Sequence, residues 1–445
     1  MVRPIGVLTR RTLLRTLPLS ALAVTGASAL TACGSDPGSP GAASDRKGPV
    51  ELVAAHEERA GGVAEAIPDA VAAMHALGAG LYGELAAKPG NLALSPYSVA
   101  VALAMTRNGA RGRTLAEMTE VLGGVEPDRL NGGLNALTWY VESLAGAREK
   151  LDGEQAEIAL RAANQLFGER TMTFEEPFLD VLAREYGAGL RTVDFRGDPE
   201  AARVAINDWT ADRTEDRIQD LVPPGVLNTL TRLVLVNALY LKAPWEQPFE
   251  EQLTADGDFH LLDGSTVEVP MMVRQLEVGG LGSGDGWRAL QLPYAGRELA
   301  MTVVLPDEGR FAEVEGRLAE LPAVLDAVRP TPVAVTLPRW TFRTQAPLKA
   351  ALSALGMPTA FQDGRADFSG VTEEAELFLS AVLHQAFIAV DEEGTEAAAA
   401  TAVVMQDESA PLLEPFVADR PFLFVIHDVE HGTPLFLGRV VDPRG

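Results

Sequence analysis

Cysteine is almost absent from this chain. Cys33 is the single cysteine in 445 residues, so no disulfide can form within the molecule. Stability must therefore come from a packed interior, and a chain of this length can bury a large one.

Positive charge is also scarce. The net charge is −25, and lysine occurs only five times. Removing the four arginines of the first 32 residues, which contain no acid, takes the charge from −25 to −29. Basic residues form no long run, so nucleic acid, heparin-like polyanions and anionic membrane surfaces are excluded as expected partners.

The six histidines do not form a pattern typical of catalysis. None accompanies a nucleophile and an orienting group. His427 and His431 stand four apart without a third ligand nearby, which predicts a solvated turn rather than a metal site. Residues 279–286 are rich in glycine but lack the phosphate-loop pattern, and residues 391–393 lack the spacing of a calcium loop. We expect a flexible connection at 279–286, no cofactor, no metal and no enzymatic activity.

The first residues of the chain resemble a bacterial export signal. Residues 1–32 have a basic start, an apolar middle and a small-residue end, and Arg10 and Arg11 resemble a twin-arginine signal. Residues 30–33, LTAC, resemble a lipoprotein box, which predicts a lipid on Cys33. We expect a flexible tether at residues 33–68 and one folded domain at residues 69–445.

These signals predict where the protein is found. A lipid on Cys33 would anchor it to the outer face of the bacterial cytoplasmic membrane, with more than one acyl chain needed for stable attachment. We expect no other contact with the membrane, because no second stretch is long and apolar enough to span it. Cleavage after Ala29 is the alternative, and it would give a secreted protein.

Residues 390–404, VDEEGTEAAAATAVV, join an acidic turn to an unusual run of small side chains. Alanine favours a helix, but Val403 and Val404 favour a strand. In a strand, alternate residues point to opposite faces. The uncharged face would carry Thr395, Ala397, Ala399, Thr401, Val403 and Met405, and the other face Glu396, Ala398, Ala400, Ala402, Val404, Gln406 and Glu408. Such a segment is suited to entering a packed sheet as a strand.

At these residues the chain resembles the hinge of inhibitory serpins, and the resemblance extends over residues 69–443. Several separate blocks carry it. They are LSPYSVAVALAMTRNGARGRT at 94–114, INDWTADRTEDRIQDLVPPG at 206–225, LVLVNALYLKAPWEQPF at 233–249, ADFSGVTEEAELFLSAVLHQAF at 366–387, and FVADRPFLFVI and PLFLGRVVDP near the end.

The resemblance implies an α+β fold, with helices packed around a large central mixed β-sheet and two smaller sheets, and an exposed reactive loop. It also implies a monomer. The residue pattern agrees with an α+β fold, since apolar side chains have helical spacing at 69–87 and the later parts of the chain are rich in predicted strands. The apolar run at 233–241 predicts a central strand buried on both faces.

Asn237 lies in the middle of this strand, where a buried amide without a partner costs about 1–3 kcal/mol. The resemblance implies that Ser98 and His384 are its partners in the family's shutter, and that Trp245 lies at the top of the opening that the loop enters. The alternatives are a satisfied core asparagine and an ordinary core tryptophan. The implied hinge residues are Glu392, Gly394, Thr395, Glu396, Ala397, Ala398, Ala399, Ala400 and Thr401.

The family mechanism implies an inhibitor of serine, or of cysteine, endopeptidases that forms a covalent acyl-enzyme with its target. Residues 395–408 would then insert as a strand, which spans about 45–50 Å. The family's loop length places the cleaved bond at Glu408 and Ser409. Counting back from Pro421 gives Ala410, and Met405, Leu412 and Leu413 are further alternatives. A non-inhibitory serpin, acting as a binding or chaperone-like protein, is the competing hypothesis.

Overall fold

The computed structural model describes residues 50–374, 376–396 and 413–445. Within them, no helix has both the length and the apolar character needed to cross a bilayer. Several predictions lie outside the described residues: the export signal at 1–32, the lipid on Cys33, the hinge residues 397–401, the bond at Glu408 and Ser409, and the alternatives at Met405, Ala410 and Leu412.

Most helices of the described chain precede its long sheet-forming stretches. The α-helices are Ile67–Ala86 (α1), Pro96–Arg107 (α2), Gly112–Val121 (α3), Pro127–Ser143 (α4), Glu176–Tyr186 (α5), Pro199–Arg213 (α6), Phe311–Glu315 (α7), Leu321–Ala327 (α8) and Lys349–Ala354 (α9), with short 3₁₀ turns at Ala64–Ala66, Glu251–Leu253, Leu318–Glu320 and Thr359–Phe361. The Ser95 hydroxyl accepts a hydrogen bond from the Ser98 N–H and caps α2, with Pro96 at the first helical position.

The strands follow in chain order. They are Glu51–Val53 (β1), Leu92–Leu94 (β2), Gly146–Glu149 (β3), Gln155–Glu169 (β4), Leu190–Val193 (β5), Leu233–Pro244 (β6), Ala255–His260 (β7), Thr266–Leu276 (β8), Gly280–Gly284 (β9), Trp287–Pro293 (β10), Leu299–Pro306 (β11), Arg329–Pro330 (β12), Val333–Pro338 (β13), Trp340–Pro347 (β14), Ala381–Val390 (β15), Gly394–Thr395 (β16), Glu414–Val417 (β17), Phe422–Asp428 (β18) and Pro434–Val440 (β19).

These strands form one large mixed sheet and two further sheets, as predicted. The large sheet has the order β1-β5-β4-β6-β16-β15-β14, with β3 beside β4. The second runs β12-β9-β10-β11-β18-β19-β2, and the third β17-β13-β8-β7. In the large sheet β4 and β6 are antiparallel, whereas β6 and β15 are parallel.

Strand β6 is central and buried on both faces, as its apolar sequence predicts. Leu235 and Leu239 belong to the main hydrophobic core, which includes α1 and α2. Val234 and Val236 belong to a second cluster, which includes residues of α6. Alternate residues thus fill two different cores, and each buried aliphatic side chain contributes about 1.5–3 kcal/mol.

The predicted start of the folded domain at residue 69 is wrong. Residues 51–53 form β1, which pairs with β5 and adds an edge strand to the large sheet. Arg59 is also held in place, because its guanidinium donates to the Asn135 side chain at 2.9 Å and pairs with Glu142 at 2.8 Å. The tether prediction therefore fails at least from Val50 onward, where backbone pairing outweighs the polar composition.

The prediction for the glycine-rich run at 279–286 is also wrong. Most of it is strand β9, which pairs with β10. Glycine leaves space there for neighbouring groups: a Cβ at Gly284 would lie 2.4 Å from the Trp287 ring, and one at Gly282 would lie 3.2 Å from the backbone of Ala327. These residues allow close packing of neighbouring groups rather than flexibility.

Candidate functional site: the hinge of the loop

Strand β16 lies between β6 and β15 at the end of the sheet that carries Pro244, which we call the upper end. Thr395 pairs antiparallel with Val390 on one side and with Ala243 on the other. Lower in the sheet, β6 and β15 pair directly, up to Ala386 opposite Leu239. The sheet is therefore already parted at its upper end, and the start of the loop fills the gap.

Gly394 is the residue that lets the loop approach so closely. A Cβ at this position would lie 2.2 Å from the carbonyl oxygen of Ala243, far inside van der Waals contact. No other amino acid fits without moving the backbone, so this glycine allows the hinge to enter beside β6.

Thr395 is buried, with 1% of its surface exposed. Its hydroxyl lies 2.6 Å from the Tyr294 hydroxyl, and burial raises the pKa of Tyr294 far above its usual range. The Tyr294 ring stacks on Trp245 with centroids 4.5 Å apart. The Trp245 indole N–H donates to the Asp391 carbonyl at 3.0 Å. The structure thus brings Trp245 directly to the hinge.

Glu392 fixes the acidic turn before β16. Its buried carboxylate accepts hydrogen bonds from the Arg339 guanidinium at 2.7 Å and from the Thr254 hydroxyl at 2.5 Å. Its carbonyl accepts from the Phe249 N–H at 2.8 Å. The turn is therefore tied both to the β6–β7 connection and to the residue that precedes β14.

Glu396, which the strand pattern assigns to the face opposite Thr395, is largely covered rather than free in solvent. It forms an ion pair with Arg217, and only 9% of its side chain is exposed. Burial raises its pKa, and Arg217 opposes that shift. Its φ of 55° is left-handed, a conformation that costs a non-glycine residue about 1–2 kcal/mol.

Asn237 and His384 meet in the middle of the large sheet. The His384 Nδ1 lies 2.6 Å from the Asn237 Oδ1, and its Nε2 accepts from the Ser95 N–H at 3.0 Å. Because Nε2 is an acceptor, the proton of the neutral ring is on Nδ1. Burial lowers the pKa of His384 to about 4, so the ring is neutral at pH 7.

The Ser98 side chain was predicted to be a partner of Asn237, but its hydrogen bond goes to a different residue. Its hydroxyl donates to the Asn164 Oδ1 at 2.6 Å, and Asn164 stands opposite Asn237 in the β4–β6 register. Sequence reasoning missed Asn164. Its sequence context carried no distinct signal, because β4 also contains other polar residues such as Arg161 and Gln165, and only the register shows that Asn164 lies beside the cluster.

His427 is buried rather than solvated, so the prediction of a solvated turn is wrong for this residue. Its Nε2 lies 2.9 Å from the Thr302 hydroxyl, because β18 runs through the middle of its sheet. Among the described residues, no group of histidine and acidic side chains has the arrangement of a metal site.

A search against protein-family models matches residues 72–443 to the family described as Serpin (serine protease inhibitor). The chain therefore belongs to the serpin family. This membership agrees with the large sheet and the hinge at its upper end, and it confirms the serpin fold that the sequence blocks predict.

The relatives come from distant organisms. An uncharacterised serpin-like protein of Thermococcus kodakarensis is 39% identical over 371 residues, covering 82% of this chain and 83% of the relative. The leukocyte elastase inhibitor of Sus scrofa is 36% identical over 365 residues, covering 80% and 93%. The crystal structure of a thermophilic serpin, tengpin, in its native state matches with a TM-score of 0.74 at 25% identity, covering 88% and 97%.

Proposed function

We propose that this protein inhibits serine or cysteine endopeptidases by trapping them during cleavage of its loop. The protease forms an acyl-enzyme with the loop, and the freed segment 395–408 inserts between β6 and β15. The position of β16 carries this proposal, because the first residue of that segment, Thr395, already pairs with both strands.

Insertion is energetically sufficient for trapping. Each ladder hydrogen bond contributes a net of about 0.5–1.5 kcal/mol, so about fourteen residues contribute on the order of 10–20 kcal/mol. A folded protease domain is stabilised by about 5–15 kcal/mol. Insertion therefore releases enough free energy to distort the trapped enzyme. The intact inhibitor is a metastable state that stores this free energy until the loop is cut.

Thr395→Arg tests the insertion step. The variant places a charge at a buried position of the sheet, so it should be cleaved as a substrate without trapping the enzyme. Wild-type protein and variant are incubated with a panel of proteases, and adducts that resist SDS are read on a gel.

Ala398→Arg is the matched control, since the strand pattern assigns residue 398 to the opposite face, and it should still form adducts. An SDS-resistant adduct with Thr395→Arg would refute insertion of this segment. Wild-type protein that is cleaved by every protease without an adduct would instead favour the non-inhibitory hypothesis.

We place the cleaved bond at Glu408 and Ser409, which implies a target that accepts an acidic residue. The basis is the family's loop length counted from the hinge. Mass spectrometry of the released carboxy-terminal fragment tests it: the fragment should begin at Ser409. A fragment that begins after Met405, Ala410, Leu412 or Leu413 would replace this assignment.

We also propose export and lipid attachment at Cys33, with the inhibitor held at the outer face of the cytoplasmic membrane. The support is the LTAC sequence and the absence of any other cysteine. Metabolic labelling with a radioactive fatty acid should mark the wild-type protein and leave Cys33→Ser unlabelled. An unlabelled wild-type protein that begins at Leu30 would show ordinary secretion.

A further inference from the structure

A cavity of about 700 Å³ lies beside the free edge of β4, below helices α2 and α4 and next to α6. Small-molecule sites have this size. Its apolar wall includes Val101 and Met105 of α2, Val141 of α4 and Leu239 of β6. The cavity opens where β4 has no neighbouring strand among the described residues, between its pairings with β3 and β5.

Two arginines and a tryptophan form the polar side of the cavity. The guanidinium carbons of Arg191 and Arg213 lie 5.4 and 5.7 Å from the centre of the Trp209 ring. In the described part of the chain, neither arginine forms an ion pair, and the buried Nε of Arg191 has no hydrogen-bond partner. Burial lowers the pKa of Arg191, and the charge of Arg213 adds to this effect. Half-buried Arg191 and exposed Arg213 thus both lie at the Trp209 ring, and no anion of the described chain is paired with either.

The other charged groups of the cavity do not neutralise this pair. Arg161 forms an ion pair with Glu215 at 2.9 Å, and Glu142 forms one with Arg59 at 2.8 Å. Asp212 is exposed and unpaired within the described chain. Two unpaired cations against one unpaired carboxylate leave an excess of one positive charge, which matches a ligand with one negative charge.

We propose that this cavity binds an amphipathic organic monoanion, with its anionic head on Arg191 and Arg213 and its apolar body on the wall formed by α2, α4 and β6. The Trp209 ring lies beside both guanidinium groups and would contact the ligand next to its head. This binding site is independent of protease trapping, so either proposal can fail without the other.

Decanoate, which has an anionic head group and an apolar chain, tests the site. Two controls separate these features: 1-decanol has the apolar chain without the charge, and inorganic sulfate has negative charge without an apolar chain. Calorimetry should show one decanoate bound per chain, and both other probes at least tenfold weaker. Tryptophan fluorescence should change on binding in the wild-type protein and much less in Trp209→Phe. Loss of a charge-assisted hydrogen bond costs about 1.5–3 kcal/mol, so Arg191→Gln with Arg213→Gln should weaken binding about tenfold to a hundredfold.

Arg288→Gln is the matched control, because Arg288 lies 5.6 Å from the Phe416 ring but outside the cavity. It should bind decanoate like the wild-type protein. Should the double variant fail to fold, Ala162→Phe replaces it, since Ala162 lines the cavity with an exposed side chain and a ring there should block binding. Unchanged affinity in either cavity variant, equal affinity for decanol or sulfate, or no binding of decanoate would overturn the proposal.

Discussion

At the scale of single residues, His384 is the clearest case of a side chain whose environment fixes its chemistry. It is fully buried, and burial lowers its pKa from 6.5 to about 4. Its Nε2 accepts from the Ser95 N–H, so protonation would turn this hydrogen bond into a contact between two donors. The ring can join the helix to the sheet only in its neutral form.

Acid should therefore weaken the fold through His384. Between pH 6.5 and 4, His384 is largely protonated in the unfolded chain and largely neutral in the folded chain. The contribution of this residue is complete above pH 6.5 and is lost as the pH falls towards 4, a change of about 3 kcal/mol. Thermal midpoints of the wild-type protein and His384→Gln, measured from pH 7 to 4, should show a steeper decline for the wild-type protein.

His384→Gln keeps the two other histidines whose pKa is lowered by burial, half-buried His75 and buried His427. The difference between the two profiles therefore isolates residue 384. Parallel profiles would show that His384 is not held neutral by its site.

At the scale of elements, the ion pair between Arg217 and Glu396 joins the hinge to the segment that follows α6. Arg217→Ala should loosen β16, because Glu396 would keep a largely covered charge without its partner. The Glu396 N–H, which donates to the Ala389 carbonyl at 3.0 Å, should exchange with solvent about fivefold faster, equivalent to about 1 kcal/mol.

Hydrogen exchange measured by mass spectrometry of peptides that cover residues 388–396 checks this prediction. Arg203→Ala is the control, since Arg203 pairs with Glu200 within α6, at 2.7 Å, without contacting the hinge. Equal exchange in both variants would mean that the ion pair does not hold the hinge.

Elements with a strong local pattern could be predicted from the sequence, and those defined by distant pairing could not. The apolar run of β6 and the Ser95 cap of α2 carry their own signals. Strand β9 has no such signal, because its glycines leave room for groups of other elements, such as the Ala327 backbone beside Gly282 and the Trp287 ring beside Gly284. The position of β16 depends on its pairing with β6, which lies about 150 residues earlier in the chain. The residue pattern therefore indicated a segment able to insert but not how far it enters.

At the scale of the whole molecule, the fold should gain stability when the loop is cut. A gain of about 10–20 kcal/mol from insertion corresponds to a rise of roughly 10–25 °C in the thermal midpoint for a chain of this size. Calorimetry of intact and cleaved protein measures it directly. Cleaved Thr395→Arg should show no such rise, and a cut wild-type protein that melts no higher than the intact one would contradict the metastable state.

The gap between β6 and β15 at the upper end of the large sheet affects how copies of this protein associate with one another. The hinge of the molecule itself fills this gap, but a hinge that withdraws would expose two strand edges that accept an extended segment of suitable sequence, and a neighbouring copy carries the same loop. We expect mutual repulsion between copies with a net charge of −25 to keep them apart at neutral pH. Near the isoelectric point of about 4.7 this protection disappears, and copies would then link loop to sheet into chains.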